Sequence, residues 1–193
     1  MKLRLVYWML STLVLAGMFL PGCTGQIPPT PVRSFSTMDL LIDLSDMPEG
    51  WRVAENSPSR ILDYLTGRDP ATAAKASRIL FLTEVNDPWY SAAHDVYRFK
   101  TCATAKYVYE EQTLGETPAD WTYHSSCAEG SKLLCRHLGH AGLIYCEWFA
   151  YYDEYYVEFS AALVPGKMTL TDVERIVQVI DSKMARYLDL SCQ

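Results

Sequence analysis

The chain has 193 residues, 49% of them hydrophobic, with 17 basic and 23 acidic side chains and a formal net charge of −6. This sign disfavours nucleic acid as a partner, because phosphate binding requires a basic surface. It also argues against a domain that lies directly on anionic lipid.

The first 22 residues have the organisation of a secretory signal peptide. Lys2 and Arg4 form a basic start, residues 5–20 are mostly apolar, and a Pro-Gly pair precedes Cys23. A helix that spans a membrane needs about 20 apolar residues, and this run is shorter. The pattern therefore favours a cleaved signal peptide over an uncleaved membrane helix.

The tetrapeptide Leu20-Pro21-Gly22-Cys23 resembles the lipobox of bacterial lipoproteins, in which the cysteine receives diacylglycerol before the signal peptide is removed. The resemblance implies a lipid on Cys23, an anchor in the bacterial cell membrane and a domain outside the cytoplasm. Residues 23–35 are rich in proline, which removes backbone donors and restricts its neighbours. We expect them to form a tether that holds the domain off the membrane.

Residues 36–193 are expected to form a single globular domain. They number 158, which suits one hydrophobic core. Residues 36–51 predict a short strand or helical turn that ends in a tight turn at Pro48-Glu49-Gly50. An irregular or weakly helical segment is predicted next, through Ile61 and Leu65.

Two strands and a helix are predicted in the middle of the chain. Residues 76–85 are rich in Ile, Leu, Phe and Thr, and residues 91–99 alternate in character, so both runs predict strands. Thr101 is a suitable N-cap for a helix over residues 102–113, because its hydroxyl can accept from an unsatisfied amide.

Three further strands and a closing helix are predicted after a loop. Residues 132–138, 143–152 and 155–164 form an antiparallel meander with short turns. Hydrophobic residues then recur at helical spacing from Val173 to Leu188, after a capping-box pattern at Thr171 to Glu174. The order of elements predicts an α+β fold, an antiparallel sheet of about five or six strands sandwiched by helices.

The turn Asp46-Met47-Pro48-Glu49-Gly50-Trp51 resembles the D-L-P-x-G-W opening of many small exported bacterial lipoproteins. The later order, Phe99-Lys100 before an Ala-rich helix, a tyrosine-rich hairpin and a closing amphipathic helix, is similar to the PsbP/Mog1-like α/β/α sandwich. This resemblance implies a fold and a tendency to act as a binding or accessory module, and it carries over no catalytic residue.

Five cysteines remain after Cys23, and export would place them where disulfides persist. Cys135 and Cys146 lie symmetrically about the turn at residues 139–142, so we expect them to form a bridge across the hairpin. Cys102 and Cys127 are expected to form the second bridge. Cys192, beyond the final helix, is then the unpaired thiol.

The same hairpin offers an alternative, a metal-binding or redox site. Cys135, His137, His140 and Cys146 provide two thiols and two imidazoles that could bind zinc or copper. The spacing is not that of a zinc finger, and an oxidising compartment favours the disulfide. We therefore expect neither a metal nor any other cofactor.

Aromatic side chains crowd the last two strands. Adjacent residues on a strand point to opposite faces, so some of these side chains must lie outside the core or beneath a helix. If exposed, they would suit contact with a protein or carbohydrate, whereas cross-strand pairing is the alternative explanation. The expected contact residues are Trp148, Tyr151, Tyr152, Tyr155 and Tyr156.

No recognisable catalytic motif accompanies the four histidines, which are expected at the surface or in turns. The sequence therefore predicts a lipid-anchored, non-catalytic binding or accessory module. Its expected partners are the membrane, through the lipid on Cys23, and an envelope protein or glycan. Serine at Tyr152 and Tyr155 is predicted to abolish partner capture without unfolding the domain.

Overall fold

The computed structural model of the protein describes residues 32–54, 72–83, 89–115, 123–137 and 143–192. Two short 3₁₀ helices, Thr37–Leu40 and Leu44–Asp46, come first. The strands and helices that follow are β1 Trp51–Val53, β2 Thr72–Leu82, β3 Ser91–Phe99, α1 Cys102–Thr113, β4 Gly130–His137, β5 Ile144–Tyr152, β6 Tyr155–Leu163 and α2 Leu170–Leu188.

The strands form one open sheet of six strands in the order β1-β2-β3-β6-β5-β4. Every neighbouring pair is antiparallel. The chain builds one half of the sheet, crosses over through α1, and completes the other half as the predicted meander of β4, β5 and β6. This arrangement confirms the predicted α+β fold with an antiparallel sheet and helices.

The helices pack on opposite faces of the sheet. On one face, Val157 of β6 and Ile176 of α2 belong to the larger apolar core, together with the 3₁₀ segment around Leu41. On the other face, Tyr97 of β3 and Val108 of α1 belong to a smaller core. The central strands are therefore buried on both sides.

Local signals place the helix starts. Thr101 accepts a hydrogen bond from the amide of Thr104 at 3.1 Å, which confirms the predicted N-cap of α1. The capping box of α2 is formed by Thr169 and Asp172, so the prediction at Thr171 was wrong by two residues. The helix begins at Leu170, which places Thr171 inside the first turn. The amide of Glu174, which Thr171 would cap, therefore lies too far into the helix to need a cap.

The segment before the sheet is helical rather than extended, because the 3₁₀ helices occupy most of residues 37–46. The predicted segment through Ile61 and Leu65 lies outside the described residues. Within the part of the chain that the structure describes, no helix is both long enough and apolar enough to cross a membrane.

Candidate functional site

The five aromatic residues predicted to form a contact surface are buried. Their exposed fractions range from 0% to 8%. Trp148, Tyr152 and Tyr155 pack in the core beneath α2, and Tyr151 and Tyr156 pack in the core beneath α1. The prediction of an exposed aromatic hairpin was therefore wrong. Adjacent residues of these strands do point to opposite faces of the sheet, as predicted, but α1 covers one face and α2 covers the other.

The hairpin disulfide is present. Cys135 lies directly opposite Cys146 in the register of β4 and β5, and their sulfur atoms are bonded at 2.02 Å. The alternative metal site needs two free thiols from the same residues, so this part of the hypothesis was wrong. His137 is exposed near the end of β4, and His140 lies outside the described residues.

The second disulfide joins Cys127 to Cys192, and Cys102 is free and exposed. The predicted pairing of Cys102 with Cys127, and the assignment of Cys192 as the unpaired thiol, were both wrong. Residues 190–192 continue past α2 on one side of the sheet and meet Cys127 there, whereas Cys102 begins α1 on the other side. The two Cα atoms of the actual bridge are 4.3 Å apart.

A strip of charged side chains crosses the sheet on the face that carries α1. It contains one residue from each of five adjacent strands, and consecutive members lie directly or diagonally opposite each other in the register. We call it the charged strip. Its members, from β2 to β4, are Lys75, Asp95, Glu158, Glu147 and Arg136.

Two carboxyl groups occupy the centre of the charged strip. Asp95 of β3 is the direct cross-strand partner of Glu158 of β6, which brings their Cβ atoms within about 5.5 Å of each other. Asp95 is buried, with 8% of its surface exposed, and Glu158 is partly exposed. Lys75 Nζ lies 3.8 Å from Asp95 Oδ1 and 4.7 Å from the centre of the Tyr97 ring.

Burial, followed by the charges of Asp95 and Glu147, raises the pKa of Glu158 to about 8. Burial also raises the pKa of Asp95, although the neighbouring Ser77 hydroxyl and the charge of Lys75 oppose this rise. Two neighbouring carboxyl groups in a partly desolvated site resist carrying two negative charges. Glu158 is therefore mainly protonated at neutral pH.

The charged strip has cations at both ends. Arg136 forms an ion pair with Glu147 on β5, and Lys75 supplies the positive charge at the other end. The central carboxyl groups can accept hydrogen bonds from hydroxyl or ammonium groups, and the protonated Glu158 can also donate one. Among the described residues, no group of three or more His, Cys, Asp or Glu side chains is arranged to hold a metal ion.

Sequence reasoning missed the charged strip, although a signal was present. Glu158 interrupts a run that is otherwise mostly apolar from Tyr155 to Ala162, and Asp95 falls between apolar residues on β3. A charged residue in the middle of a strand that is buried on both faces is expensive unless it has partners. A charged residue in the middle of such a strand therefore indicates a candidate functional site.

A second charged cluster lies at the turn between β5 and β6. Arg33 donates from Nε and Nη2 to the two carboxylate oxygens of Glu154, both at 3.0 Å, and Nη2 also reaches Asp153 at 3.3 Å. Arg98 contacts Glu154 from β3 at 3.3 Å. Burial tends to raise the pKa of Glu154, but the hydrogen bonds and charges around it prevail and lower that pKa.

Comparison with protein-family models and with curated proteins finds no match for this chain. The class of protein is therefore defined by the fold alone, an α+β domain with an open antiparallel sheet of six strands covered by helices and held by disulfides at Cys127–Cys192 and Cys135–Cys146.

Proposed function

We propose that this chain is a lipid-anchored bacterial lipoprotein whose domain works outside the cytoplasm as a non-catalytic binding or accessory module. The observation that carries the proposal is the pair of disulfides, Cys127–Cys192 and Cys135–Cys146. Such bridges form and persist in oxidising compartments and are rare in the cytosol. They support the export that the signal-peptide pattern and the lipobox at Cys23 predict.

The fold family that we propose is the PsbP/Mog1-like α/β/α sandwich. Helices on both faces of an antiparallel sheet support this assignment. The turn that resembles other exported lipoproteins has a structural explanation here. Gly50 has a φ of 92°, which favours glycine, and it directs Trp51 into the core with 5% of its surface exposed.

We assign contact with the envelope partner, a protein or a glycan, to the charged strip, because the aromatic hairpin is covered by the helices. The partly exposed carboxyl group of Glu158, with the buried Asp95 directly beside it, favours a partner that presents hydrogen-bond donors, such as sugar hydroxyls or a basic peptide. The cations at both ends add electrostatic selectivity, because a partner that places like charges opposite those of the strip would be repelled.

The anchor is tested by expressing the full chain in a bacterial host beside a Cys23→Ser variant. We expect the full chain to incorporate labelled fatty acid, to enter the detergent-rich phase of a two-phase extraction, and to be released from the outer surface of spheroplasts by an added protease. The Cys23→Ser variant should lose the label and the partitioning. A full chain without label, or one that remains in the cytoplasm, would overturn the proposal.

The contact surface is tested by a photo-crosslinking amino acid placed at Glu147 in the charged strip, with a control placed at the exposed Arg175 of α2. We expect a defined crosslinked species in intact cells from position 147 and none from position 175. Equal crosslinking from the two positions would show that the charged strip is not the contact surface. This result would not affect the proposed lipid anchor.

A further inference from the structure

The first described residues of the chain are attached to the domain. Arg33 forms a bidentate, hydrogen-bonded ion pair with Glu154, whose exposed fraction is 1%. This geometry matches the planar guanidinium to both oxygens of one carboxylate, and it is the strongest form of such a pair. The chain is therefore fixed at the β5–β6 turn from residue 33 onward.

Phe35 provides a second point of attachment. Its ring lies 6.2 Å from that of Tyr155 in a stacked arrangement and 5.1 Å from that of Tyr187 in an edge arrangement. Tyr155 begins β6 and Tyr187 lies in the last turn of α2, so the contacts join the segment to both layers. Residues 33 and 35 therefore behave as part of the domain.

Only ten peptide units separate Cys23 from Arg33. Even a fully extended chain of this length reaches at most about 35 Å. A lipid on Cys23 would therefore hold the β5–β6 turn within about that distance of the bilayer surface, which is comparable with the length of a strand of nine residues, about 30 Å.

The two ends of the sheet are distinguishable. The amide of Phe99, at the end of β3, donates to the carbonyl of Glu154 at 2.8 Å, so this end of β3 lies at the β5–β6 turn. Trp89 precedes the other end of β3, and 57% of its surface is exposed. Cys102 follows Phe99 closely and is therefore at the same end as the attachment point.

We infer that the end of the domain with the β5–β6 turn faces the lipid surface and that the end with Trp89 faces away from it. The inference rests on the proposed lipidation of Cys23. The orientation depends on the attachment of Arg33 and Phe35 to the domain. If these two residues were not attached, the connection between Cys23 and the domain would be longer, and the domain could rotate about it.

The free thiol of Cys102 provides the probe. A fluorescent donor is attached to Cys102 of the lipidated full chain, at alkaline pH because burial and the charges of Asp153 and Glu154 raise the pKa of this thiol. The comparison protein has Cys102→Ser with Trp89→Cys and carries the donor at position 89. Each is bound to vesicles of phosphatidylethanolamine and phosphatidylglycerol that contain an acceptor-labelled lipid. The strand between the two positions, Ser91–Phe99, is about 30 Å long, so we expect at least about twofold more energy transfer from position 102.

The attachment is tested by the double variant Arg33→Ser with Phe35→Ser, which should remove the difference in energy transfer between positions 102 and 89. Arg175→Ser on α2 is the control, and it should preserve that difference. Equal or greater transfer from position 89 in the unaltered domain would overturn the inferred orientation. A full chain that fails to float with the vesicles would instead contradict the proposed anchor, so the two failures are distinguishable.

Discussion

Tyr152 donates its phenolic hydrogen to Oδ1 of Asp181 at 2.7 Å and so joins β5 to α2 inside the larger core. The same carboxylate accepts hydrogen bonds from Tyr123 and Ser125, both at 2.6 Å. Asp181 is only 3% exposed, and a buried carboxylate requires such donors. Tyr152 therefore joins a strand to a helix inside the core and cannot act as a surface residue, and Asp181 also holds the loop that contains Tyr123 and Ser125.

Replacing Tyr152 is therefore predicted to destabilise the domain, which replaces the expectation from the sequence that serine at this position would leave the domain folded. Tyr152→Phe removes one donor from Asp181 and should lower the free energy of unfolding by about 1–3 kcal/mol. Tyr152→Ser also opens a cavity and should cost about 3–5 kcal/mol. Urea unfolding measures both values, with Tyr107→Ser as the control, because Tyr107 is 59% exposed. If Tyr152→Ser unfolds at the same urea concentration as the unaltered domain, the assigned core is incorrect.

Glu158 is predicted to make the domain less stable in alkaline solution. Its pKa is raised from 4.5 to about 8 in the folded state, so its contribution is fully present below pH 4.5 and is lost as the pH rises through 8. Glu158→Gln removes the charge that must be buried, and it should stabilise the domain by roughly 2 kcal/mol at about pH 9 with little change at about pH 4.

The measurement for Glu158 is the urea midpoint across this pH range. Glu111→Gln at an exposed position of α1 is the matched control, and its effect should be within about 0.5 kcal/mol at every pH. A Glu158→Gln variant that follows the pH profile of the unaltered domain would show that Glu158 titrates normally.

His94 is predicted to weaken the domain in acid. Its Nδ1 accepts the amide hydrogen of Ile42 at 3.0 Å, and the side chain is fully buried in β3, so the expectation of a surface or turn position was wrong for this histidine. Burial, then the charges of Lys183 and Arg78, lowers the pKa of His94 from 6.5 to about 3. The stability that it contributes is present above pH 6.5 and is lost as the pH falls towards 3, because only the unfolded chain takes up the proton readily.

His94→Asn preserves an acceptor for the amide of Ile42 without a group that titrates in this range. We expect the variant to lose less stability than the unaltered domain between pH 6.5 and 3, the window set by the shifted pKa. Thermal unfolding at a series of pH values measures the difference. Identical acid profiles would contradict the assignment of a neutral, buried His94.

The cysteine connectivity predicts unequal effects of removing the two bridges. Cys127 and Cys192 are 65 residues apart, whereas Cys135 and Cys146 are 11 apart. The chain-entropy model then gives about 4 kcal/mol for the first bridge and about 3 kcal/mol for the second. Cys127→Ser with Cys192→Ser should therefore lower the unfolding free energy more than Cys135→Ser with Cys146→Ser.

Peptide mapping after alkylation checks the connectivity directly. In protein that begins at residue 24 and is exported from a bacterial host, only Cys102 should be alkylated before reduction. Alkylation of Cys192 in the unreduced protein would contradict the Cys127–Cys192 bridge of the structure and favour the pairing of Cys102 with Cys127 that the sequence predicted.

The elements of the fold were predictable because each depends on nearby residues. Strand β3 occurs over residues 91–99, where alternation predicted it, and α1 starts at the N-cap Thr101. The bridge between Cys135 and Cys146 followed from their equal distances to a turn. Local spacing was enough to find these features.

The remaining features depend on contacts between distant parts of the chain. The pairing of Cys127 with Cys192 requires knowledge that the end of α2 returns to the loop before β4, and no local spacing encodes this. The burial of Tyr151 and Tyr152 requires knowing that α1 and α2 cover opposite faces. One signal was available, because the run from Tyr155 to Ala162 is largely apolar at both odd and even positions, which is typical of strands buried on both sides.

Both ends of the described fold meet at the β5–β6 turn. Arg33 binds Glu154 there, and Ser191, next to the bridged Cys192, lines the same shallow cleft as Asp153. Proteins whose ends lie close together tolerate circular permutation. A short linker between residues 192 and 33, with new ends opened at the exposed Leu114, would retain all the strand pairings and move the point of attachment to another site on the surface.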